Sequence, residues 1–326
     1  MEPITSFMPV KNGLKYLSTS IFGIMENCRP EDEVLIIDNG SEDGSLKSLL
    51  QYEMEFANLR VISAPKLSFP DVLNLGLKES SNTWVARFDV DDLYSPLRLE
   101  TQRSLISNNV AAIFSDYSVF FNDKRYAGRI PTGVDSTAVV FSLLFSQQTA
   151  HPSALIDKSA LLSIGGYRSA DFPAEDLSAW LRLSRVGKLI SSPKVLLNYR
   201  LSSSSITAQR RPEGQNRTAF LLKNIGIPIE KLDTSIENLY RTRDSYKEME
   251  SFGTRYLLHL RNINRAIVYH PDYFIGSGRK FPSLKLSALT HSISALELLY
   301  YQYIRNSHRS EKSHLAENVK QAIHYL

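Results

Sequence analysis

The stretch Arg87-Phe88-Asp89-Val90-Asp91-Asp92-Leu93-Tyr94-Ser95-Pro96 indicates where a buried strand ends and a polar site begins. It continues an apolar, aromatic run that starts at Trp84, which is typical of a strand. Three carboxylates follow within four residues, and Pro96 then predicts the start of a helix. Carboxylates this close repel one another unless a cation or hydrogen bonds compensate their charge. A hard divalent cation, with open positions for substrate phosphates, explains the cluster economically.

The same stretch has two other interpretations. An EF-hand loop would require an oxygen ligand and a glycine where Leu93 and Tyr94 stand, so we reject it. An acidic turn that caps the helix after Pro96, with Asp92 as the cap, is a common arrangement at helix starts. The stretch alone leaves this second interpretation open.

Composition narrows the class of protein. The chain has 326 residues, with 43% hydrophobic and 22% charged residues, which is enough for one large α/β domain with an appendage. The net charge of +4 is mild, so we expect no nucleic-acid partner. A single cysteine, Cys28, indicates a reducing compartment. No basic leader or membrane-spanning run is recognisable, and the chain is therefore expected to be cytoplasmic or peripheral on the inner face of a membrane.

Strands and helices alternate through the first hundred residues. The predicted strands are Ile4–Val10, Glu33–Ile37, Leu59–Ser63 and the run from Trp84 into Asp89, separated by helices through Leu14–Ile24, Leu46–Leu50 and Phe69–Lys78. This alternation predicts a doubly wound, mostly parallel sheet. Ligands of such sheets bind beyond the carboxyl ends of the strands. Asp38 and the Asp89–Asp92 cluster both stand there, which indicates a nucleotide or phosphate site.

The next hundred residues mix strands and helices. We predict strands over Ala111–Phe121 and His151–Ile156, and helices over Val139–Leu144, Lys158–Ile164 and Leu177–Leu183. Gly165-Gly166 is expected to close the second of these helices. Glu175 and Asp176 precede the third, where capping and dipole compensation would explain them without any catalytic role.

Four motifs together resemble the family-2 glycosyltransferases. They are Met8-Pro9-Val10-Lys11-Asn12, Ile36-Ile37-Asp38-Asn39-Gly40-Ser41-Glu42-Asp43-Gly44-Ser45, Asp89-Val90-Asp91-Asp92 with Pro96, and Glu175-Asp176 with Trp180-Leu181-Arg182. The resemblance spans about residues 4 to 207. It implies a Rossmann-like GT-A fold and an inverting, metal-dependent enzyme of the hexosyltransferase type that uses nucleotide sugars.

The resemblance assigns the donor side of the site. Pro9, Val10 and Asn12 would lie under the nucleotide, and Asp38 and Asn39 would contact its base. Many relatives carry a second acid where Asn39 stands, which weakens the inference of uracil. Asp89 and Asp91 match the metal-binding DxD motif. Asp91 is the preferred ligand for Mn²⁺ or Mg²⁺, Asp89 also faces the sugar or ribose, and Asp92 supports the turn.

The resemblance also assigns the acceptor side. Asp176 matches the catalytic base, with Glu175 beside it, and one base without a protein nucleophile implies a single displacement. His151 lies in a stretch that often lines the acceptor pocket, although a lone histidine there is more often structural. Ser202 replaces a family histidine, so contact with the diphosphate would fall to Arg200 or to Arg210-Arg211. The latter pair could equally lie in a surface loop.

The expected organisation is a GT-A catalytic domain over residues 1–211 and a helical region over 212–326. The catalytic domain divides into a nucleotide-sugar half, about 1–100, and an acceptor half, about 101–211. A basic-flanked amphipathic helix through Leu284–Tyr303 could contact an anionic membrane, pack on the catalytic domain or form a homodimer. We expect a UDP-sugar donor and a glycan or lipid-linked acceptor in surface polysaccharide synthesis. The alternatives are a sugar-1-phosphate nucleotidyltransferase, which should have a Gly-rich basic loop where Lys11-Asn12-Gly13 stands, and a non-catalytic nucleotide-sugar-binding protein.

Overall fold

The structure is a computed structural model that describes residues 2–121, 124–130, 136, 139, 143 and 149–202. The strands are β1 (Ile4–Val10), β2 (Glu33–Asp38), β3 (Leu59–Ser63), β4 (Trp84–Arg87), β5 (Leu93–Tyr94), β6 (Val110–Phe121), β7 (Lys124–Ile130), β8 (Leu155–Asp157) and β9 (Lys188–Arg200). The helices are α1 (Leu14–Asn27), α2 (Ser45–Glu55), α3 (Phe69–Glu79), α4 (Arg98–Arg103), α5 (Lys158–Ser163) and α6 (Glu175–Leu183). Within these ranges no helix has the length and apolar character needed to cross a bilayer.

The strands form one mixed sheet in the order β3-β2-β1-β4-β8-β6-β9-β5, with β7 paired to β6. Pairing is parallel between β1, β2, β3 and β4, and again between β6 and β9. Antiparallel β8 lies between these two groups. The predicted doubly wound sheet is confirmed, but it is mixed and not mostly parallel, since four of the eight pairings among the described strands are antiparallel. The predicted helical region over 212–326 lies outside the described residues.

The sheet reverses its order at β1, because β2 and β3 extend to one side of it and β4 lies on the other. Right-handed crossovers then place α1 and α2 on one face of the sheet and α3 on the other. The crevice at such a reversal, beyond the carboxyl ends of β1 and β4, is where doubly wound proteins bind ligands. The chain leaves β1 at Val10 and β4 at Arg87, so both predicted donor-side motifs flank this crevice.

The strand predicted over His151–Ile156 is wrong in its first half. His151–Ser153 forms a turn of 3-10 helix, and only Leu155–Asp157 pairs in the sheet, with β4 and β6. Pro152 explains the difference, because its ring fixes φ near a helical value and its nitrogen has no hydrogen to donate to a strand. The hydroxyl of Ser153 also donates to the Ala150 carbonyl at 2.7 Å, which closes the turn. The helix predicted over Val139–Leu144 lies mostly outside the described residues.

Candidate active site

The acidic loop, residues Asp89–Asp92, leaves β4 and is held from both sides. Its first backbone amide, that of Asp89, donates to the Tyr94 hydroxyl at 2.6 Å. At its other end, the backbone amide of Arg200 donates to Asp92 Oδ1 at 2.7 Å. Asp92 is only 2% exposed, and α4 begins at Arg98 without any side-chain cap. The interpretation of Asp92 as a solvated helix cap is therefore wrong, since its carboxylate is used to fix the loop.

Arg87 is a functional candidate that the sequence reasoning missed. Its side chain is 1% exposed, and Nη2 donates to Asp89 Oδ1 at 2.7 Å. The guanidinium also donates to the Phe88 carbonyl and lies 5.9 Å from the centre of the Phe7 ring. A buried cation in this position orients Asp89 and compensates part of the loop's negative charge. An arginine that interrupts the apolar run before the carboxylates was the signal available in the sequence.

A second buried arginine lies beneath the same loop. Arg98 is fully buried, and its Nη2 donates to the carbonyls of Arg87 at 2.9 Å and Ala154 at 3.2 Å. Its guanidinium stacks 4.2 Å from the centre of the Phe88 ring. Burial lowers its pKa to about 10. Arg98 therefore links the end of β4 to the segment before β8, and so ties the two halves of the sheet together under the acidic loop.

The acidic loop retains negative charge that the described residues do not fully compensate. Burial and the neighbouring Asp89 raise the pKa of Asp91 to about 6. Burial, Asp89 and Asp91 also raise the pKa of Asp92 well above its usual range. Asp92 Oδ2 is buried and has no hydrogen-bond partner among the described residues. An additional cation at this loop would relieve both effects.

Arg200, to which the family resemblance assigns a diphosphate contact, lies beside the acidic loop. It stands at the end of β9, which pairs with β5 immediately after the acidic loop. Its Nε donates to the Asp91 carbonyl at 2.7 Å, and its guanidinium lies 4.6 Å from the centre of the Tyr16 ring. Arg200 therefore places positive charge beside Asp91. The other candidates, Arg210 and Arg211, lie outside the described residues.

The predicted nucleotide residues meet at the ends of β1 and β2. Val10 pairs with Asp38, and the Asn39 amide donates to the Val10 carbonyl at 2.8 Å. Asp38 is fully buried, its Oδ1 accepts from the Gly40 and Ser41 amides at 3.1 Å each, and its Oδ2 has no partner among the described residues.

The other two polar residues of this group are already engaged in the loops. The side-chain Nδ2 of Asn39 donates to the Leu67 carbonyl at 3.0 Å, and its Oδ1 accepts from the Leu67 backbone amide at 3.2 Å. Asn12 adopts a left-handed φ of 54°, and its Oδ1 accepts from the Glu42 amide at 2.8 Å. Pro9 is buried within β1 beside Ile37. A role for these three in nucleotide binding therefore stays a prediction, and their observed contacts shape the loops around Asp38.

Glu175 and Asp176 occupy the first turn of α6, which begins at Glu175. Asp176 is half-buried, and its Oδ1 accepts from the Leu177 amide at 2.7 Å, so part of the expected first-turn role is observed. Glu175 is 5% exposed, and its Oε2 has no hydrogen-bond partner among the described residues. Burial and then Asp176 raise the pKa of Glu175 to about 8, while Arg87 lowers it and Asp89 raises it further. Arg87 and Asp89 of the acidic loop therefore both influence the charge of Glu175.

His151 belongs to an aromatic cluster behind this pair. Its Nε2 lies 2.9 Å from the Tyr167 hydroxyl, and its ring packs edge-on against Trp180 with centres 5.6 Å apart. Burial, followed by the positive charge of Arg87, lowers the pKa of His151 well below its usual range. These contacts favour the structural role over direct contact with an acceptor.

The raised pKa of Glu175 predicts that the difference in stability between the wild type and Glu175→Gln depends on pH. The folded chain holds a proton on Glu175 up to about pH 8, whereas the unfolded chain loses it near its usual pKa. Wild-type stability therefore falls as pH rises between these two values. Glu175→Gln lacks this loss, so we expect its stability relative to wild type to increase by about 1–3 kcal/mol between about pH 5.5 and about pH 9. Urea denaturation of both proteins at the two pH values measures this change in relative stability.

Glu33→Gln is the matched control for this prediction. Glu33 is also partly buried, but hydrogen bonds from Ser81, Thr5 and Arg60 outweigh its burial and lower its pKa. Its carboxylate is ionised in both the folded and the unfolded chain above about pH 5.5, so the control difference should stay flat. A Glu175→Gln difference that is equally flat would contradict the raised pKa.

The comparisons with known proteins agree with this arrangement. Residues 5–160 match the model of "Glycosyl transferase family 2". The O-antigen biosynthesis glycosyltransferase WbnJ of Escherichia coli is 26% identical over 218 residues, which cover 63% of this chain and 82% of that protein. A second relative is WfgD of Escherichia coli, a UDP-Glc:alpha-D-GlcNAc-diphosphoundecaprenol beta-1,3-glucosyltransferase. It is 24% identical over 217 residues, which cover 64% of this chain and 81% of WfgD.

Solved structures give the same fold. The mannosyltransferase PcManGT from Pyrobaculum calidifontis, in complex with GDP-Man and Mn²⁺, superposes with a TM-score of 0.58 over 99% of this chain and 87% of its own. The two sequences are 15% identical, so the likeness is one of fold, and that fold is the GT-A fold expected from the motifs. Taken with the family match over residues 5–160 and the curated relatives, it shows that the chain is a glycosyltransferase, similar to those of glycosyl transferase family 2.

Proposed function

We propose that the chain transfers a sugar from a UDP-sugar to a hydroxyl group of a glycan or lipid-linked acceptor, with inversion, during polysaccharide synthesis. The observation that carries this proposal is that buried Arg87 binds Asp89 of the acidic loop, while both residues also affect the pKa of Glu175. The Asp89–Asp92 loop lies at the end of β4, and Glu175–Asp176 opens α6. One group suits the diphosphate end of a donor and the other suits the hydroxyl of an acceptor.

The relatives support the donor and the acceptor classes. WfgD is named for UDP-Glc and for an acceptor linked to diphosphoundecaprenol, and WbnJ is named for O-antigen biosynthesis. PcManGT binds GDP-Man, so the shared fold also accommodates a guanine nucleotide. In this chain, the unpartnered Oδ2 of Asp38 offers an acceptor for the N–H group of a base.

A divalent cation fits the acidic loop. The described residues contain no group of three or more Asp, Glu, His or Cys side chains that could hold a metal ion alone. The uncompensated charge of Asp91 and the orphaned Oδ2 of Asp92 nevertheless suit a hard cation whose remaining ligands are phosphate oxygens. Asp91 would hold it, because one oxygen of Asp89 already accepts from Arg87. When bound, Mn²⁺ or Mg²⁺ supplies charge stabilisation to the departing diphosphate.

The chain's own residues supply the remaining steps. Asp176 accepts the proton from the acceptor hydroxyl as that oxygen attacks the anomeric carbon, and the bond from that carbon to the diphosphate breaks. Arg200, beside Asp91, contributes a fixed positive charge near the departing diphosphate. A single displacement with one base inverts the anomeric centre. Glu175, buried and protonated near neutral pH, keeps a second negative charge away from Asp176.

Nucleotide binding with and without Mn²⁺ tests the donor site. We expect UDP with Mn²⁺, at about 100 times its Kd, to stabilise the wild type by about 2.7 kcal/mol, which raises Tm by roughly 4–8 °C. Asp91→Ala should abolish the metal-dependent part of this shift because it removes the proposed ligand. A thermal-shift panel of UDP, GDP, CDP and ADP measures the response and identifies the base.

Glu31→Ala is the control, since it removes an exposed carboxylate from the same half of the domain. It should respond to UDP and Mn²⁺ as the wild type does. If the folded wild type responds to no nucleotide, the proposed function is wrong. If Asp91→Ala keeps the full Mn²⁺-dependent shift, the assignment of Asp91 is wrong while the donor proposal stands.

A further inference from the structure

Asn74 makes a paired contact between the two halves of the domain. It lies in the middle of α3, and its Nδ2 donates to the Tyr167 carbonyl at 2.8 Å. The Tyr167 amide in turn donates to Asn74 Oδ1 at 2.8 Å. One amide side chain thus satisfies both backbone groups of a residue that lies 93 positions further along the chain. Such a paired contact fixes both the distance and the orientation of the bound segment.

The segment that Asn74 holds requires a glycine at its centre. Gly166 has a φ of +62°, a left-handed value, and a Cβ there would collide with Asn74 Oδ1. The bare backbone therefore allows α3 to approach this segment closely. The contact is built into the local conformation and does not depend on a flexible surface side chain.

The same segment is bound from the opposite side by α6. Arg182 Nη1 donates to the Ile164 carbonyl and Nη2 to the Gly166 carbonyl, each at 2.7 Å. Arg182 lies on the same short helix as Glu175 and Asp176. Residues 164–167 are consequently clamped between α3 of the donor half and the helix that carries the proposed base. We call these four residues the clamp segment.

Further contacts align the clamp segment with the site. The Tyr167 hydroxyl lies 2.9 Å from His151 Nε2, and the rings of both residues pack edge-on against Trp180 of α6. Near the start of α3, Ser169 Oγ donates to Asp71 Oδ1 at 3.3 Å. Helix α3 also begins next to Leu67, which Asn39 binds at the predicted nucleotide pocket. The helix α3 therefore contacts the support of α6, while Leu67, two residues before the helix, contacts the nucleotide-side loop.

We propose that Asn74 is a positioning residue that sets the base helix α6 against the donor half, through Tyr167 and Arg182. The inference rests on the proposed function, in which Asp176 of α6 is the base. Removal of the Asn74 side chain should misplace the base without changing the nucleotide pocket, because none of the hydrogen bonds of Asn74 reach Asp38 or the acidic loop. Asn74 therefore affects the rate of reaction and not the affinity for the donor.

Asn74→Ala, compared with Asn58→Ala, tests the proposal. Asn58 is also half-buried and its Nδ2 donates to a backbone carbonyl, that of Asp32, at 2.9 Å, so both variants lose an amide that anchors backbone. Hydrogen–deuterium exchange should rise about tenfold or more at residues 164–172 and in the first turn of α6 only in Asn74→Ala. UDP affinity with Mn²⁺ should stay within about threefold of wild type. UDP release from UDP-glucose should fall about 10- to 100-fold in kcat with KM nearly unchanged, as a 1 Å misplacement produces.

Asn74→Asp separates the two hydrogen bonds. It keeps an acceptor for the Tyr167 amide but places an oxygen against the Tyr167 carbonyl, so its kcat should be at least as low as that of Asn74→Ala. Unchanged exchange at residues 164–172 in Asn74→Ala would overturn the proposal. So would an equal fall in kcat for Asn58→Ala, or a loss of UDP affinity that matches the loss of kcat. Failure of the wild type to bind UDP or any other nucleotide would instead contradict the proposed function, and the exchange data would still report on the clamp.

Discussion

Asp176→Asn is expected to lower the rate of sugar transfer by about 10²- to 10⁴-fold, the usual contribution of a positioned general base. The amide keeps the size of the carboxylate and can still accept from the Leu177 amide at 2.7 Å, so α6 should keep its first turn. It cannot take the proton from the acceptor hydroxyl. UDP affinity with Mn²⁺ should remain within about threefold of wild type. Steady-state turnover and calorimetric UDP binding on the same protein measure the two effects.

Asp157→Asn is the matched control for this substitution. Asp157 also stands at the start of a short helix, and its Oδ1 accepts from the Ser159 and Ala160 amides at 2.8 Å and 3.1 Å. Asparagine caps a helix about as well as aspartate, so this variant should be fully active. Turnover of Asp176→Asn within about threefold of wild type would contradict the assignment of the base. If Glu175→Gln alone lost activity, the base would be reassigned to Glu175.

The donor half of the fold could be predicted from the sequence because its central strands are buried. All seven residues of Ile4–Val10 are buried, and such strands are recognised as continuous apolar runs. Leu59–Ser63 was predicted with the observed bounds. Once a parallel sheet was predicted, the carboxyl ends of its strands had to meet at one edge. That geometry alone placed Asp38 and the acidic loop at one side of the molecule.

Buried cations could not be predicted in the same way. Arg87, Arg98 and Arg103 are each 3% exposed or less, whereas arginine is ordinarily a surface residue. Each is buried because it meets a particular carboxylate, carbonyl or ring, and these partners are fixed only by the folded chain. For Arg103 the partner, Asp32, is 71 residues away. A contact between residues so far apart leaves no periodic pattern in a single sequence.

The acceptor half depends on similar long-range contacts. The pairing of β5 with β9 and the contact between Asn74 and Tyr167 join segments about a hundred residues apart. Local patterns correctly predicted α5, its closure by Gly165-Gly166, and the helix α6. They could not show that Gly166 leaves room for α3 to pack closely against this segment. The clamp segment was therefore visible only as a helix end.

Asp32→Ala is expected to destabilise the chain by about 3–5 kcal/mol, the cost of removing one partner of a buried ion pair. Both side chains of the Asp32–Arg103 pair are at most 1% exposed, and Nη2 of the arginine lies 2.6 Å from Oδ2. Asp32 also accepts from the backbone amides of Ile4 at 2.7 Å and Arg29 at 2.9 Å. The alanine variant leaves a buried guanidinium and two amides without their acceptor. Urea denaturation should show a lower midpoint with little change in slope.

Glu79→Ala provides the comparison with a surface ion pair. Its partner Arg60 lies 3.3 Å away, both side chains are more than 40% exposed, and the loss should be about 1 kcal/mol or less. If Asp32→Ala does not fold, Asp32→Asn keeps an acceptor for one of the two amides and should lose less. Adding Arg103→Met to Asp32→Ala should recover part of the stability, because the buried charge that has lost its Asp32 partner is then removed. A cost for Asp32→Ala no larger than that for Glu79→Ala would show that this pair does not anchor β1 and α4.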